Sequence, residues 1–573
     1  MAIVRPLSAM LLSAAALVGG CAASGPGAAP TSNLSAGPAA SPLGSYLAGR
    51  SASLNGDTEA AAAYYDHALA ADPDNQLLRL RAFSMQMAEG NWDRALPLAK
   101  LIDKQPATSF TADLLLATDA ARRGDFEAAR DHLQSDDTGN AGALMRPLLL
   151  AWVGVGLNDA ALTDQALGTL GQRESLAAFR SFHAALIEDL RGNPEAAAKA
   201  FEETRASAAG NATRVVTAYA SFLARRGETD KVKAMLEEYL SRFPDNPGIE
   251  SALGELEQTG TIVPMITSIG DGIAEAYYGA AGVLAQDRTA DAARIYARLA
   301  LFMRPDFDNG TILLGEILER DDRYADANRA YGTVAEASPY RLDARLRIAS
   351  NLNRMDRVDE AIAELRAATA SPDTDASALV TLADLLRGRE RFTEAVTVYD
   401  QAVAKVGTIE ARHWALLYAR GIALERDKQW QRAEADFLKA LELRPDQPLV
   451  MNYLGYSWVE QGRNLDRARD MIERAVAQRP NDGYIVDSLG WALFHLGDFE
   501  GAVKQLERAV SLRPEDPVIN DHLGDAYWRV GRRLEARFKW RHALSLKPEA
   551  AAIPAIETKL ESGLGPVSGD RDG

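Results

Sequence analysis

The chain has 573 residues, a quarter of them charged, and 63 Lys and Arg against 80 Asp and Glu leave a net charge of −17. That balance argues against nucleic acid as a partner, because phosphate binding needs a basic surface, and against adhesion to anionic lipid through a basic patch. A single cysteine, Cys21, excludes intrachain disulfides and Cys-rich metal sites. The length is too great for one compact core but sets no limit on a stacked array.

Residues 1–20 place one cation, Arg5, before an apolar run from Leu7 to Val18. This is a signal-peptide layout, too short for a membrane-spanning helix. The run closes on Val18-Gly19-Gly20-Cys21, which resembles the processing box of bacterial lipoproteins. The resemblance implies cleavage before Cys21 and acylation of its sulfur and new amino group. Several acyl chains anchor a protein firmly, at about 0.8 kcal/mol per buried methylene. The alternative is an incidental cysteine at the end of an ordinary leader or anchor. Ala22 follows rather than Asp, which by the enteric sorting rule points to the outer membrane. Residues 21–41 carry no charge and are dominated by Ala, Gly, Pro and Ser. Such a segment cannot bury enough apolar surface to order itself. It reads as a tether with a root-mean-square reach of roughly 25 Å.

Repeats begin directly afterwards. Gly49, Ala61, Tyr65, Ala68 and Pro73 form a first unit, with weaker copies around Trp92–Ala95 and Gly124–Ala128. Thr138 to Arg173 is helical by pattern without a clear repeat. Better units return at Ala185, Ala197 and Phe201 and near Ala220, Leu236 and Pro244. Turns such as Gly56-Asp57, Gly124-Asp125 and Gly192-Asn193 fall between paired helices, Gly supplying the left-handed cap and Asp or Asn the next turn. From 258 to 272 the period breaks in a stretch rich in Thr, Ile, Gly and Pro, which disfavours helix. The expectation is a boundary between an N-terminal array (42–257) and a C-terminal one; the alternative is a loop wedged into a continuous superhelix. Middle units (273–410) resume with Ala281/Ala293, Gly315/Ala327, Ala349/Ala361 and Ala383/Ala395.

The strongest units occupy 411–550. Proline recurs at Pro445, Pro480, Pro514 and Pro548, alanine at Ala440, Ala475, Ala509 and Ala543, and glycine at Gly421, Gly455, Gly490 and Gly524, a period of 34 or 35 residues. A fixed period of this length means stacked supersecondary units. In the last unit Leu523, Gly524 and Tyr527 fall on one helix and Ala536, Trp540 and Ala543 on the next. The small residues let two helices approach closely and the large ones fill the space around the contact. The pattern resembles the tetratricopeptide repeat (TPR). The expected fold is therefore all-α, a TPR α-solenoid of about fourteen helical hairpins, with a disordered tail at 561–573.

No catalytic constellation emerges. The seven histidines show no metal-ligand spacing, although His495, His522 and His542 fall in neighbouring units. No phosphate loop or nucleophile elbow occurs, and Gly279 reads as a close helix contact. The expectation is a non-enzyme without cofactor or metal. A solenoid instead offers an extended concave surface. By resemblance to TPR units, that surface is lined by residues three before, one after and four to five after each unit glycine. Here these are Asn452, Tyr456 and Glu460; Asp487, Trp491, Phe494 and His495; and Asp521, Asp525, Trp528 and Arg529. Tyr456, Trp491 and Trp528 read either as contacts or as packing between repeats, whereas Trp458 and Trp540 read as core. The three aspartates would repel a carboxylate, so a basic or apolar-basic peptide fits better.

The full layout resembles a group of proteobacterial TPR lipoproteins. The resemblance implies an outer-membrane protein facing the periplasm and holding protein partners. One member of that group is an adaptor delivering cell-wall hydrolases to a periplasmic carboxyl-terminal processing protease. The alternative is a scaffold of envelope export, in exopolysaccharide secretion or pilus assembly. Self-association through a terminal helix stays open.

Overall fold

The computed structural model describes residues 41–104, 109–134, 142–286, 290–370 and 374–565. The leader, Cys21, the tether to residue 40 and the tail from 566 lie outside the described residues. Among these there are thirty α-helices and no strand. In order they pair into fourteen hairpins, with Pro247–Thr259 and Ile553–Ser562 left over. The chain divides into two compact units, Met1–Leu98 and Ala99–Gly573.

In the first unit Pro42–Leu54 and Thr58–Ala71 pack through Gly49, against which the Tyr65 ring lies. Ala61, Tyr65, Ala68, Leu78 and Ala82 form its core. Asp57 caps the second helix, accepting from the Ala60 N–H at 2.9 Å.

Most described hairpin turns of the second unit use a single residue of left-handed backbone. Gly497 and Gly531 take φ of 84° and 83° there, a conformation free of strain only for glycine. In the middle hairpins Asp322, Asp356, Glu390 and Lys428 adopt it instead, with φ of 56° to 63°. Within each hairpin the small residue of the first helix meets a large one of the second. A Cβ at Gly490 would fall 2.5 Å from Leu506 Cγ, and one at Gly421 2.6 Å from the Phe437 ring. Ala433, Ala440, Ala502, Ala509, Ala536 and Ala543 are fully buried at the same contacts. Trp458 and Trp540 are core, and their indole N–H groups donate to Glu434 at 2.5 Å and Asp525 at 2.8 Å.

The broken stretch behaves differently from a boundary between arrays. Pro247–Thr259 ends at Gly260 (φ 74°), and only 260–268 is irregular. Its carbonyls at Ile262 and Val263 accept from the Ser221 hydroxyl at 3.0 and 3.1 Å. Asp271 then caps the next helix, accepting from the N–H groups of Thr267 and Ser268 at 2.9 Å. That helix, Ile269–Gln286, returns to pack on Gly142–Gly156 and Ala177–Leu190, both first helices of earlier hairpins. Small residues permit it: Gly272 lies on the Trp152 ring, and a Cβ at Gly279 would fall 3.0 Å from Phe179. Tyr277 and Thr118 hydroxyls meet at 2.6 Å. Arg214 pairs with Glu275, its Nε donating at 3.1 Å. Burial opposes the Arg214 charge, but Glu275 outweighs it and holds the guanidinium above its usual range. The expected boundary is therefore corrected: the period breaks because the chain leaves the stack and folds back onto the earlier units.

Two predictions follow from this returning helix. Gly272→Val forces a branched side chain into the Trp152 ring, so the second unit loses about 1–3 kcal/mol, read as a lower urea midpoint. His183 accepts from the Trp152 indole N–H at 3.1 Å, and burial, only partly offset by Glu275, lowers its pKa to about 4. A histidine with a folded pKa below its unfolded one stabilises the fold above the unfolded value. That stability is lost as pH falls from about 6.5 towards 4, up to roughly 3 kcal/mol. In His183→Gln this share of the acid sensitivity disappears from urea melts measured across that window.

Candidate partner-binding groove

The first helices Pro448–Glu460, Gly483–His495 and Pro517–Arg529 carry the groove positions. Each unit glycine faces the second helix of its own hairpin, so residues one turn away point along the first-helix face. The structure divides the expected residues into three groups.

Tyr456, Trp491 and Phe494 are half-buried, and Glu460 and His495 are exposed. They form one cluster. The Trp491 ring stacks on Phe494 at 4.9 Å, meets His495 edge-on at 4.9 Å and stacks on His522 at 3.9 Å. Its indole N–H donates to Glu460. Burial lowers the His495 pKa, with Glu460 opposing.

Asp487 holds this cluster from beneath through His522. Asp487 is buried and receives His522 Nδ1 at 3.0 and 3.1 Å. Burial acts against the His522 charge, but Asp487, with Asp525 and Asp521 behind it, raises the pKa above its ordinary value. The His522 ring thus lies flat under the Trp491 face, held there by Asp487. Asn452 is partly buried, its Oδ1 without a hydrogen-bond partner.

Asp521, Asp525, Trp528 and Arg529 are not open contacts. The chain's own helix Ile553–Ser562 covers them. Lys559 Nζ donates to Asp521 at 2.8 and 2.9 Å and to Asp525 at 2.8 Å. Burial disfavours the Lys559 charge, yet the two carboxylates raise its pKa. Gly563 lies on the Trp528 ring, and Arg529 donates to the Gly565 carbonyl at 2.7 Å. The expected acidic groove is corrected accordingly: Asp487 is engaged by His522 Nδ1, and Asp521 and Asp525 by Lys559. Of the tail expected to be disordered, Glu561 and Ser562 are helical and 563–565 pack on the last unit, while the remainder lies outside the described residues.

One aromatic group lies outside the expected set. Trp414 stacks on Tyr418 at 6.4 Å, Tyr418 meets Tyr453 edge-on at 6.1 Å, and Tyr453 donates to Glu425 at 3.0 Å. Tyr418 and Glu425 stand three before and four after Gly421, so the same spacing rule carried one unit back finds them. His542 stays apart from His495 and His522, stacking on Phe538 at 6.4 Å. Among the described residues no group of three or more His, Cys, Asp or Glu could hold a metal ion. None of the helices there is long and apolar enough to cross a membrane.

Known proteins agree with the repeat. Family profiles described as tetratricopeptide repeat match residues 45–75 and 380–448, and one described as TPR repeat matches 490–531. A TPR repeat-containing protein of Pseudomonas aeruginosa is 26% identical over 190 residues, covering 33% of this chain and 31% of that protein. The match thus spans less than a third of that relative. Among solved structures, MamA from Desulfovibrio magneticus RS-1 is 24% identical over 30% of this chain and 94% of its own, with a TM-score of 0.27. The Cut9-Hcn1 hetero-tetramer of APC/C is 13% identical over 91% of this chain and 96% of its own, at 0.37. The fold is an all-α solenoid of helical hairpins, three stretches of which match tetratricopeptide-repeat profiles. Such repeats present surfaces for other proteins.

The covered last unit yields a separable outcome. Trp528→Ala removes the ring on which Gly563 rests, so amides of Ile553–Ser562 exchange about tenfold faster, ~1.4 kcal/mol of lost local stability. The preceding hairpins keep their protection, as hydrogen-exchange mass spectrometry will show.

Proposed function

We propose that this protein is a lipid-anchored adaptor of the bacterial outer membrane, facing the periplasm and holding a protein partner at the Trp491 cluster. The observation that carries the reading is the half-open group of Tyr456, Trp491, Phe494, His495 and Glu460, which no later segment of the chain covers among the described residues. Rigid aromatic side chains with a polar rim are what protein hot spots use, at little cost in side-chain entropy. With Asp487, Asp521 and Asp525 each engaged by the chain's own side chains, Glu460 and Glu425 are the carboxylates beside the aromatic surface, so an apolar segment with a few cations fits it. Cys21 behind its lipoprotein-like box supplies the anchor, and the resemblance to proteobacterial TPR lipoproteins supplies the expected partners: a periplasmic processing protease and the cell-wall hydrolases delivered to it.

Affinity purification of the anchored protein from its own host tests this, with Cys21→Ser and Trp491→Ala as comparisons. The expected result is co-recovery of a protease and peptidoglycan hydrolases, reduced at least about tenfold by Trp491→Ala, a hot-spot loss. Helical circular dichroism stays unchanged. Loss of the hydrolases with Cys21→Ser would tie delivery to anchoring. Recovery of a porin with polysaccharide-export proteins instead would replace the adaptor by an export scaffold.

A further inference from the structure

The last second helix, Arg533–Ser545, presents a surface that no other hairpin of the C-terminal group has. Leu534 and Phe538 stand two before and two after the buried Ala536, and they are 83% and 65% exposed. Preceding hairpins place polar or small residues at the same two positions: Glu500 and Lys504 around Ala502, Asp466 and Asp470 around Ala468, Thr393 and Thr397 around Ala395. All of these are exposed as well. The repeat itself therefore has no need of large apolar groups there, and the internal copies act as the control. An exposed Leu–Phe pair is a liability unless something covers it.

The charges around the pair indicate what that something is. Leu534, Phe538 and His542 make one ridge at four-residue spacing, and Arg533, Arg537 and Arg541 make the ridge beside it. Residues 532–547 contain six Lys and Arg against one carboxylate, Glu535, which Arg532 engages at 3.1 Å. The nearby Glu507 is likewise engaged by Arg532, at 2.9 Å, and by the Tyr527 hydroxyl at 2.8 Å. Among the described residues no ion pair neutralises Arg533, Arg537 or Arg541. Arg533 and Arg537 rest over the Trp528 ring at 5.2 and 5.9 Å from its centre, which sets their direction along the helix. In a chain of net charge −17 this is a local reversal of sign, so the total charge does not describe this face.

We propose that the Leu534–Phe538 and Arg533–Arg537–Arg541 ridges form a contact face for an anionic phospholipid surface. Two apolar side chains projecting from an outward helix face suit a soft interface that closes around them better than a rigid partner that must supply a matching pocket. Guanidinium groups alongside meet lipid phosphates at the same depth. This face is separate from the Trp491 cluster and does not depend on the Cys21 anchor, so the adaptor reading and this one stand or fall independently.

Vesicle flotation of the full chain carrying Cys21→Ser tests the face without any acyl chain. Vesicles of phosphatidylethanolamine with phosphatidylglycerol are compared with phosphatidylcholine alone, and the leader is common to every variant. The expected result is severalfold more protein with the anionic vesicles, falling to the neutral-vesicle level in Leu534→Ser/Phe538→Ser. In Arg537→Ser/Arg541→Ser the preference for anionic vesicles shrinks and salt matters less. Both pairs of positions are exposed, so circular dichroism stays that of the parent. Equal flotation of parent and Leu534→Ser/Phe538→Ser overturns the proposal. So does a parent that stays off vesicles but sediments as a dimer which the same variant loses, because the face then joins two copies of this chain.

Discussion

Each helical hairpin here is held by a contact in which a glycine or alanine of one helix admits a large side chain of the other. Gly490 against Leu506 and Gly421 against Phe437 are examples. That close approach leaves a hairpin thin, with apolar surface on both flanks that it cannot bury alone. Every unit must therefore be covered by a neighbour, and wherever the series stops or changes direction, some other segment has to take the neighbour's place. Much of what is particular to this chain is an answer to that requirement. Ile553–Ser562 serves as the missing next helix at the C-terminal end, and Pro247–Thr259 lies on the hairpin before it as an unpaired cover. Ile269–Gln286 fills the first-helix face of earlier hairpins.

Covering a face with the chain's own residues carries an electrostatic consequence. Asp521 and Asp525 lie on a surface that a following repeat would normally meet, and Lys559 arrives from the closing helix with its charge aimed between them. Glu275 does the same for Arg214 at the returning helix. Such partly or fully buried pairs add little net stability over an apolar contact, but one partner without the other is costly. They therefore select the helix that may dock, and a segment lacking the complementary charge is excluded. At Trp491 the same device is used without a covering helix: His522 and Asp487 form the pair below, and the aromatic surface above stays available.

The hairpins were legible because their signals are local. Proline after the second helix, glycine at the turn and small residues at fixed offsets all act within one unit. The fourteen hairpins of the described residues match the number the pattern gives, and paired helices form even through 142–171, where the repeat signature is faint. Trp458 and Trp540 could be assigned to the core by offset alone. What the pattern lacks is information about where a non-repeating segment goes. The stretch around Val263 and Pro264 reads as an end of helix, which it is, but nothing local to it says that Gly272 will meet Trp152, more than a hundred residues earlier. Likewise the spacing rule identifies the face on which Asp521 and Trp528 lie and is silent about Lys559 and Gly563, because occupancy of a face is a property of the tertiary fold. Ile553–Ser562 has a helix-starting proline and an apolar Ile556, yet its composition next to a Gly-rich end gives little sign of docking.

These constraints together leave the chain with an uneven distribution of available surface. From Ile269 back to Gly142 the first-helix face is filled, and at Pro517–Arg529 it is filled again. Between them, the first helices that begin at Trp414, Pro448 and Gly483 carry the aromatic series Tyr418, Tyr456 and Trp491 with no covering segment among the described residues. A repeat array with every face alike would recruit partners along its whole length. Here the returning helix fills the face of the early units and Ile553–Ser562 that of the last, so the first-helix faces left uncovered among the described residues lie between Asp308 and His495, with the aromatic ones at their C-terminal end.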